Sequence, residues 1–211
     1  MTQFKAVIWD FGGVISSSPF EAFSRFEIER GLPAGFLRSV NARNPDDNAW
    51  ARLERSECNA TQFNALFEAE SAALGHPVPG ALVLALLDGE IRPAMVAALH
   101  AIRSRMKIGC ITNNFSADAR GGPRLTDKPQ IMALFHHVIE SAKAGVRKPD
   151  PRIYLMMTEA LEVVPEQCIY LDDLGINLKP ARALGMQTIK VQEPAPALAQ
   201  LESLLGFRLD A

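Results

Sequence analysis

The sequence predicts an α/β protein built on a doubly wound parallel sheet, with a helical domain inserted after the first strand. Three observations support this fold class. Short apolar and β-branched runs alternate with helical patterns, as in parallel sheets covered by helices. Several of these runs end abruptly in polar residues. Between residues 16 and 89 the strand pattern disappears and only helical patterns remain.

Five segments have the composition of buried strands. Apolar residues dominate them without strict alternation, as expected where both faces of a parallel strand are covered. The weakest of the five is the third, which carries two histidines. The predicted strands are residues 5–9, 107–112, 135–140, 168–171 and 187–191.

Helical patterns separate the later strands. The segment 93–105 has proline just inside its start and a basic last turn, both favoured at helix ends. The segment 151–161 has the apolar spacing of a helix that packs on a sheet. A shorter helix, 178–184, ends before Gly185, a residue suited to the position after a helix.

The helical insertion contains no convincing strand. Prolines and glycines divide it into four predicted helices, 20–30, 34–41, 49–55 and 61–74. Its aromatic residues Trp50, Phe63 and Phe67 are expected to form its own core rather than a substrate pocket. The sequence thus predicts a core domain from residues 1–15 and 90–211 and a cap domain from residues 16–89. The polar segment 116–128 is expected to be a surface loop.

The composition is that of an ordinary globular protein. Of 211 residues, 48% are hydrophobic and 22% are charged, and the formal net charge is −2. No basic stripe stands out, so nucleic acid is not an expected partner.

The most apolar segment, 81–87, is too short to span a membrane. The amino terminus enters a strand pattern without a signal-peptide core, and we expect a cytoplasmic location. The oligomeric state stays open.

The cysteines predict neither disulfides nor a zinc site. Cys58, Cys110 and Cys168 are far apart and include no C-x-x-C pair. No cluster of other zinc ligands accompanies them. We expect free thiols that are mostly buried, because unpaired cysteine is among the most buried residue types.

Polar residues gather where the predicted strands end. In an open parallel sheet, ligands bind beyond the carboxyl ends of the strands. A lysine precedes the predicted helix at 151–161 and can approach the same edge. The side chains expected there are Asp10, Thr112, Asn113, Lys148, Asp172 and Asp173.

Three carboxylates at one edge would repel each other without compensation. A divalent cation and Lys148 could supply it, and Mg²⁺ suits a site of few carboxylates, a carbonyl and a substrate phosphate. A carboxylate such as Asp10 can attack phosphorus and form an aspartyl-phosphate that water hydrolyses. Thr112 and the amides after Asp10 could hold phosphate oxygens. Gly12 and Gly13 would let the backbone approach the ligand.

Four motifs resemble those of the haloacid dehalogenase-like superfamily, in the same order. They are VIWDFGGV, CITNN, Lys148 within RKPDPRIY, and YLDDLGIN. The helical insertion stands where that superfamily has its type 1 cap. The resemblance is strongest to the amino-terminal, phosphatase-type domain of soluble epoxide hydrolases, through RKPDPRIY and LDDLGINLKPARALGMQTI. It implies a Rossmann-like core, a hydrolase activity and Mg²⁺ as cofactor.

The resemblance also implies a metal-binding set. Asp10 would be the nucleophile and a metal ligand. The carbonyl of Gly12 would be a second ligand. Asp173 would bind the metal directly, and Asp172 would support it through a water molecule.

A second set of roles concerns the substrate, which the resemblance implies to be a small phosphorylated molecule. Thr112 and Lys148 would hold the phosphate, and Lys148 would stabilise the nucleophile as well. Asn113 and Asn177 would line the site, and the Gly13 backbone would contact the ligand.

Gly12 departs from the pattern of the superfamily's phosphatases, which carry an aspartate there. That aspartate protonates the leaving group and then activates water, a contribution of about 10²–10⁴-fold. The main hypothesis is a phosphatase weakened by this loss. A non-catalytic protein that binds phosphate ligands is a second hypothesis. A 2-haloacid dehalogenase is a third, although those relatives do not keep an acidic pair like Asp172–Asp173.

Overall fold

The computed structural model describes residues 4–87, 89–114 and 129–209. Within these residues one sheet is formed, and all of its strands run parallel. The strands are β1 (Ala6–Trp9), β2 (Lys107–Thr112), β3 (His137–Glu140), β4 (Cys168–Asp172) and β5 (Gln187–Lys190). Their spatial order is β3-β2-β1-β4-β5. The predicted doubly wound parallel sheet is therefore confirmed.

Helices connect the strands and also build the segment between β1 and β2. A short 3₁₀ turn, Pro165–Gln167, leads into β4. In chain order the helices of the described residues are α1 (Phe20–Arg30), α2 (Phe36–Ala42), α3 (Ala49–Glu54), α4 (Ala60–Ala72), α5 (Gly80–Leu84), α6 (Pro93–Arg103), α7 (Pro129–Met132), α8 (Ser141–Ala144), α9 (Pro151–Ala160), α10 (Gly175–Ala183) and α11 (Pro194–Leu205).

The sheet is covered on both faces because each strand alternates its side chains between them. Val7 and Trp9 point to the face covered by α6 and α11. Ala6 and Ile8 point to the opposite face, covered by α9 and α10. Tyr170 of β4 also belongs to that second face. Burial of both faces explains why the strands are almost wholly apolar.

Helices α1–α5 pack around an apolar cluster of their own. Phe63 and Phe67 are fully buried in it, and Trp50 packs against it partly exposed. The assignment of these aromatic residues to the insertion's own core is therefore confirmed. Two adjacent chain segments join this helical insertion to the sheet. Ser16 and Ile91 form an antiparallel bridge, which brings the two connections together.

The sequence-based element boundaries were wrong in a few places. Phe135 is not in β3, because its N–H closes the turn after α7 on the carbonyl of Met132. Helix α10 begins at Gly175, three residues before the predicted start. The prediction began too late because glycine is a poor helix former and was read as part of the preceding turn. Helix α11 was missed because Pro194 and Pro196 interrupt its pattern, although proline is tolerated in a first turn. The predicted loop 116–128 lies outside the described residues.

The cysteine and membrane expectations can be compared with the structure. All three cysteines are free, Cys110 and Cys168 are buried, and Cys58 is partly buried. In the part of the chain that the structure describes, every helix is too short or too polar to cross a bilayer.

Candidate active site

Three strand ends bring the predicted polar residues to one edge of the sheet. Trp9, the last residue of β1, lies beside Cys110 of β2 and Leu171 of β4. The residues that follow in each strand therefore reach the same edge. The N–H of Asp10 donates to the carbonyl of Leu171 at 2.9 Å, which extends the β1–β4 pairing by one residue. Carboxylate oxygens of Asp10, Asp172 and Asp173 all lie within 4.8 Å of one another.

Lys148 lies between two of these carboxylates. Its side chain is 1% exposed, and its Nζ is 2.8 Å from Oδ1 of Asp10 and 2.8 Å from Oδ2 of Asp172. Burial alone would lower the pKa of Lys148, but the two adjacent negative charges raise it above the ordinary value. The lysine is therefore held as a cation. It reaches the edge of the sheet from the connection between α8 and α9.

Asp172 has protein partners for both of its oxygens. Besides Lys148, it accepts from the Tyr170 hydroxyl, from the Leu174 N–H at 2.8 Å, and from the Asn177 amide at 3.0 and 3.1 Å. It is fully buried. Tyr170 and Asp172 are two residues apart on one strand, so they lie on the same face of the sheet. Asn177 was expected to line the site, and its amide donates to Asp172.

Asp173 has a different environment from its neighbour. It is partly buried, and its only hydrogen bond from another side chain within the described residues is a 3.4 Å contact with the Ser18 hydroxyl. Burial and the charge of Asp172 raise the pKa of Asp173 to about 6. Burial also raises the pKa of Asp10, against the lowering effect of Lys148. Two carboxylates in one cluster are thus destabilised as anions.

This donor set fits a hard divalent cation. Lys148 pairs with Asp10 and Asp172, and in the described residues no ion pair is made by Asp173. The cluster offers only oxygen atoms, which Mg²⁺ prefers over nitrogen and sulfur. A divalent cation would compensate the charge that Lys148 leaves unbalanced. Asp10, Asp173 and the carbonyl of Gly12 are the groups that could hold it.

The turn after Asp10 contains two glycines with different constraints. Gly13 has a φ of +77°, and a Cβ there would lie 2.2 Å from Oδ2 of Asp173. Its carbonyl accepts from Arg92 at 2.9 Å. Only glycine fits this position, because a side chain would collide with a carboxylate of the cluster. A Cβ at Gly12 would meet no atom within 4 Å. An aspartate could therefore stand at position 12 without a clash at its Cβ.

Asn113 binds the main chain of Lys148. The Lys148 N–H donates to Oδ1 of Asn113 at 2.9 Å, and Nδ2 of Asn113 donates to the Lys148 carbonyl at 3.0 Å. Thr112 is buried at the end of β2, next to this pair. Sequence reasoning placed Asn113 at the site. The structure adds that its amide fixes the backbone from which the Lys148 side chain extends.

Sequence reasoning missed three residues beside this edge. Tyr170 could have been found, because it precedes Asp172 by two residues and must share its face. Arg147 is adjacent to Lys148 and could have been considered with it. Glu54, in the helical insertion, contacts Arg147 and Asn113 and carries no sequence signal that separates it from other acidic residues there.

The geometry agrees with a comparison against protein families. The model of haloacid dehalogenase-like hydrolases matches residues 4–185. The chain belongs to this family. The resemblance inferred from the four motifs is therefore confirmed, and the protein is a haloacid dehalogenase-like hydrolase.

Curated relatives of this haloacid dehalogenase-like hydrolase include proteins much longer than this chain. Acyl-CoA dehydrogenase family member 10 of Mus musculus is 34% identical over 98% of this chain and 20% of its own length. Bifunctional epoxide hydrolase 2 of Sus scrofa is 32% identical over 97% of this chain and 39% of its own length. The chain thus spans less than half the length of each of these two relatives. β-Phosphoglucomutase of Bacillus subtilis is 24% identical, with 92% of this chain and 86% of the relative covered.

Solved structures share the fold at low identity. A family member from Bacteroides thetaiotaomicron, in complex with magnesium and inorganic phosphate, has a TM-score of 0.60 at 18% identity. The match covers 90% of this chain and 94% of that one. L-2-haloacid dehalogenase from Xanthobacter autotrophicus has a TM-score of 0.61 at 17% identity, covering 95% and 83%. Phosphate-binding and dehalogenating members are both structural neighbours, so the fold alone does not separate the two activities.

Proposed function

We propose that this haloacid dehalogenase-like hydrolase is a magnesium-dependent phosphatase that acts on a small phosphorylated metabolite through an aspartyl-phosphate at Asp10. The observation that carries the proposal is the cluster of three carboxylates around buried Lys148, in which Asp173 makes no ion pair with any described residue. The similarity to β-phosphoglucomutase and to a structure with bound magnesium and phosphate supports it. A metal-independent dehalogenase would not need the unpaired Asp173.

The residues of the edge divide into metal-binding and supporting groups. Asp10, the Gly12 carbonyl and Asp173 would hold Mg²⁺, which when bound neutralises charge on the transferring phosphoryl group. Asp172 has both oxygens engaged by the protein. It would also support the site through Lys148, whose ammonium group it contacts at 2.8 Å.

Asp10 is oriented for attack by two donors on one oxygen. Its Oδ1 accepts from the Phe11 N–H at 2.6 Å and pairs with Lys148 at 2.8 Å. Among the described residues, no partner contacts Oδ2. This oxygen would bond to phosphorus as the ester P–O bond breaks and the leaving oxygen departs. Lys148 and the Thr112 hydroxyl would stabilise the phosphoryl oxygens. Water then attacks phosphorus and releases inorganic phosphate from Asp10.

Gly12 leaves this scheme without a general acid at the usual position. An alcohol leaving group needs a proton, whereas nitrophenolate departs as an anion. The proposed enzyme is therefore fast with good leaving groups and slow with alkyl phosphates, by about 10²–10⁴-fold relative to a protein with the acid. Gly12 also favours the second candidate, a protein that binds a phosphate ligand without turnover.

The test is hydrolysis of p-nitrophenyl phosphate with and without Mg²⁺. Wild type is compared with Asp10→Asn, with Gly12→Asp, and with Asp47→Asn as a control at an exposed cap aspartate that pairs with Arg52. We expect magnesium-dependent turnover that Asp10→Asn abolishes and Asp47→Asn leaves unchanged. Gly12→Asp should accelerate hydrolysis of an alkyl phosphate more than that of the nitrophenyl ester, because an alkoxide leaving group needs the proton that Asp can donate. A Cβ at position 12 meets no atom within 4 Å.

Other outcomes select the alternatives. An inactive wild type that gains turnover through Gly12→Asp would favour the phosphate-binding protein. If all variants are inactive and Mg²⁺ does not bind, the phosphatase proposal is wrong. Release of halide from a 2-haloacid without metal would then establish the dehalogenase.

A further inference from the structure

A buried glutamate of the helical insertion contacts the core beside the proposed active site. Glu54 is the last residue of α3 and is 7% exposed. Its Oε1 accepts from the Trp50 indole N–H at 2.9 Å, within the insertion. Its Oε2 lies 3.0 Å from Nε of Arg147 and 3.2 Å from Nδ2 of Asn113, both in the core. The carboxylate therefore joins the two parts of the molecule.

Main-chain contacts reinforce this junction. The Glu54 carbonyl accepts from the Ser141 hydroxyl at 2.7 Å, and the Ser56 hydroxyl donates to the carbonyl of Ala142 at 3.1 Å. Arg147 also donates to the carbonyl of Pro45 in the insertion at 3.3 Å. The end of α3 is thus seated on the core segment that leads to Lys148.

Glu54 is compensated only while the insertion is seated. Burial raises the pKa of Glu54, and the charge of Arg147 is the largest effect opposing that rise. A buried carboxylate without its cation would be strongly destabilising. Separation of α3 from the core would remove Arg147 and Asn113 together, and Glu54 would have to become solvated. Seating of α3 on the core and pairing of Glu54 are therefore coupled.

The two core partners of Glu54 also bracket the main chain of Lys148. Asn113 exchanges two hydrogen bonds with the Lys148 backbone, and Nε of Arg147 donates to the same Lys148 carbonyl at 3.2 Å. From the Lys148 main chain, its own side chain reaches Asp10. A continuous set of polar contacts thus leads from the insertion to the nucleophile.

We infer that Glu54 is a positioning residue, which fixes Asn113 and Arg147 where α3 is seated on the core and through them sets the position of Lys148 against Asp10. The inference rests on the proposed phosphatase function and deepens it. Seating of α3 on the core would then complete the alignment of the phosphate-binding lysine. Glu54 itself does not need to touch the substrate.

The test compares Glu54→Gln with Glu57→Gln. Glu57 is an exposed acidic residue of the same insertion that pairs with Arg55, and it makes no hydrogen bond or ion pair with the described residues of the core. With p-nitrophenyl phosphate, Glu54→Gln should lower kcat by about tenfold with little change in KM, because misplacement of a positioned group acts on the chemical step. Hydrogen exchange in 49–54 and 141–148 should quicken by about tenfold. Glu57→Gln should change neither.

A double-mutant cycle with Arg147→Gln tests the route of the effect. If Glu54 acts through Arg147, the double variant should lose no more kcat than the more impaired single variant. Full additivity of the two losses would overturn the inference. So would a Glu54→Gln kcat within twofold of Glu57→Gln, or a loss as complete as in Asp10→Asn, which would make Glu54 a catalytic group.

Failure of the proposed function would be recognised separately. If wild type does not turn over, the readout becomes the Kd for inorganic phosphate in the presence of Mg²⁺. Weaker phosphate binding in Glu54→Gln than in Glu57→Gln would uphold the positioning role without the phosphatase. If exchange quickens while phosphate affinity and kcat stay the same, Glu54 only fastens the insertion and the inference is wrong.

Discussion

Two adjacent buried charge clusters differ in where their members come from. The cluster of Asp10, Lys148 and Asp172 lies entirely within the α/β core. The cluster centred on Glu54 draws one charge from the helical insertion and its cation, Arg147, from the core. The first cluster has all of its members in the core, whereas the second exists only where the insertion is seated on the core. The two clusters meet at the Lys148 main chain.

The largest expected effect comes from removing the cation of the core cluster. Lys148→Met should lower the free energy of unfolding by about 3–5 kcal/mol, because two buried carboxylates lose their partner. It should also reduce turnover by at least about 10²-fold, since a preorganised positive charge is lost. Urea denaturation and the nitrophenyl phosphate assay measure the two effects.

Lys143→Met is the matched control for this change. Lys143 pairs with Glu140, but its side chain is 75% exposed. Its replacement should alter stability by no more than about 0.5 kcal/mol. If Lys148→Met changed the free energy of unfolding as little as Lys143→Met, the buried ion pairs with Asp10 and Asp172 would not stabilise the core.

The difference between the clusters also explains what the sequence could predict. Asp10 follows β1, Asp172 ends β4 and Lys148 precedes α9. Parallel strands bring their carboxyl ends to one edge of the sheet. Asp10, Lys148 and Asp172 could therefore be placed together from local patterns. Glu54 could not, since its contact with Asn113 spans 59 residues and depends on how α3 docks on the core. No local rule fixes that docking.

The same contrast applies to the fold. The β-strands were predictable because short apolar, β-branched runs bounded by polar or turn residues are typical of buried parallel strands. The helices of the insertion were predictable individually, from proline and glycine breaks, but their packing was not. Helix α11 was missed because prolines in a first turn resemble a loop pattern. Local chemistry thus specified elements, and tertiary packing decided what they contact.

The next prediction concerns the charge that the core cluster leaves uncompensated. The folded-state pKa of Asp173, about 6, lies above its ordinary value of 3.8. Its contribution to stability is therefore present below about pH 4 and is lost as the pH rises through about 6. In metal-free protein this loss should be about 3 kcal/mol. Mg²⁺ should restore stability near neutral pH and have little effect near pH 4.

Thermal unfolding with and without Mg²⁺, in wild type and Asp173→Asn, measures this effect. The variant should lose both the magnesium response and its share of the pH dependence. Glu54→Gln should keep the magnesium response, since Arg147 rather than a metal compensates that carboxylate. A wild type whose melting temperature is insensitive to Mg²⁺ near neutral pH would contradict the assignment of Asp173 as a ligand.

The smallest expected effect comes from two tyrosines beside the core cluster, one bonded to a carboxylate and the other to a main-chain carbonyl. Tyr170 donates to the Asp172 carboxylate, whereas Tyr154 donates to the main-chain carbonyl of Asn177 at 2.7 Å. Both rings are fully buried and in edge-on contact with each other, so their surroundings are alike. Tyr170→Phe should cost about 2 kcal/mol and Tyr154→Phe about 1 kcal/mol, because a bond to a charged group is the stronger. Equal losses in urea denaturation would mean that Lys148 and Asn177 already satisfy the hydrogen-bonding capacity of Asp172. A larger loss for Tyr170→Phe would mean that its hydroxyl helps to hold the Asp172 carboxylate, and through it Lys148, in place.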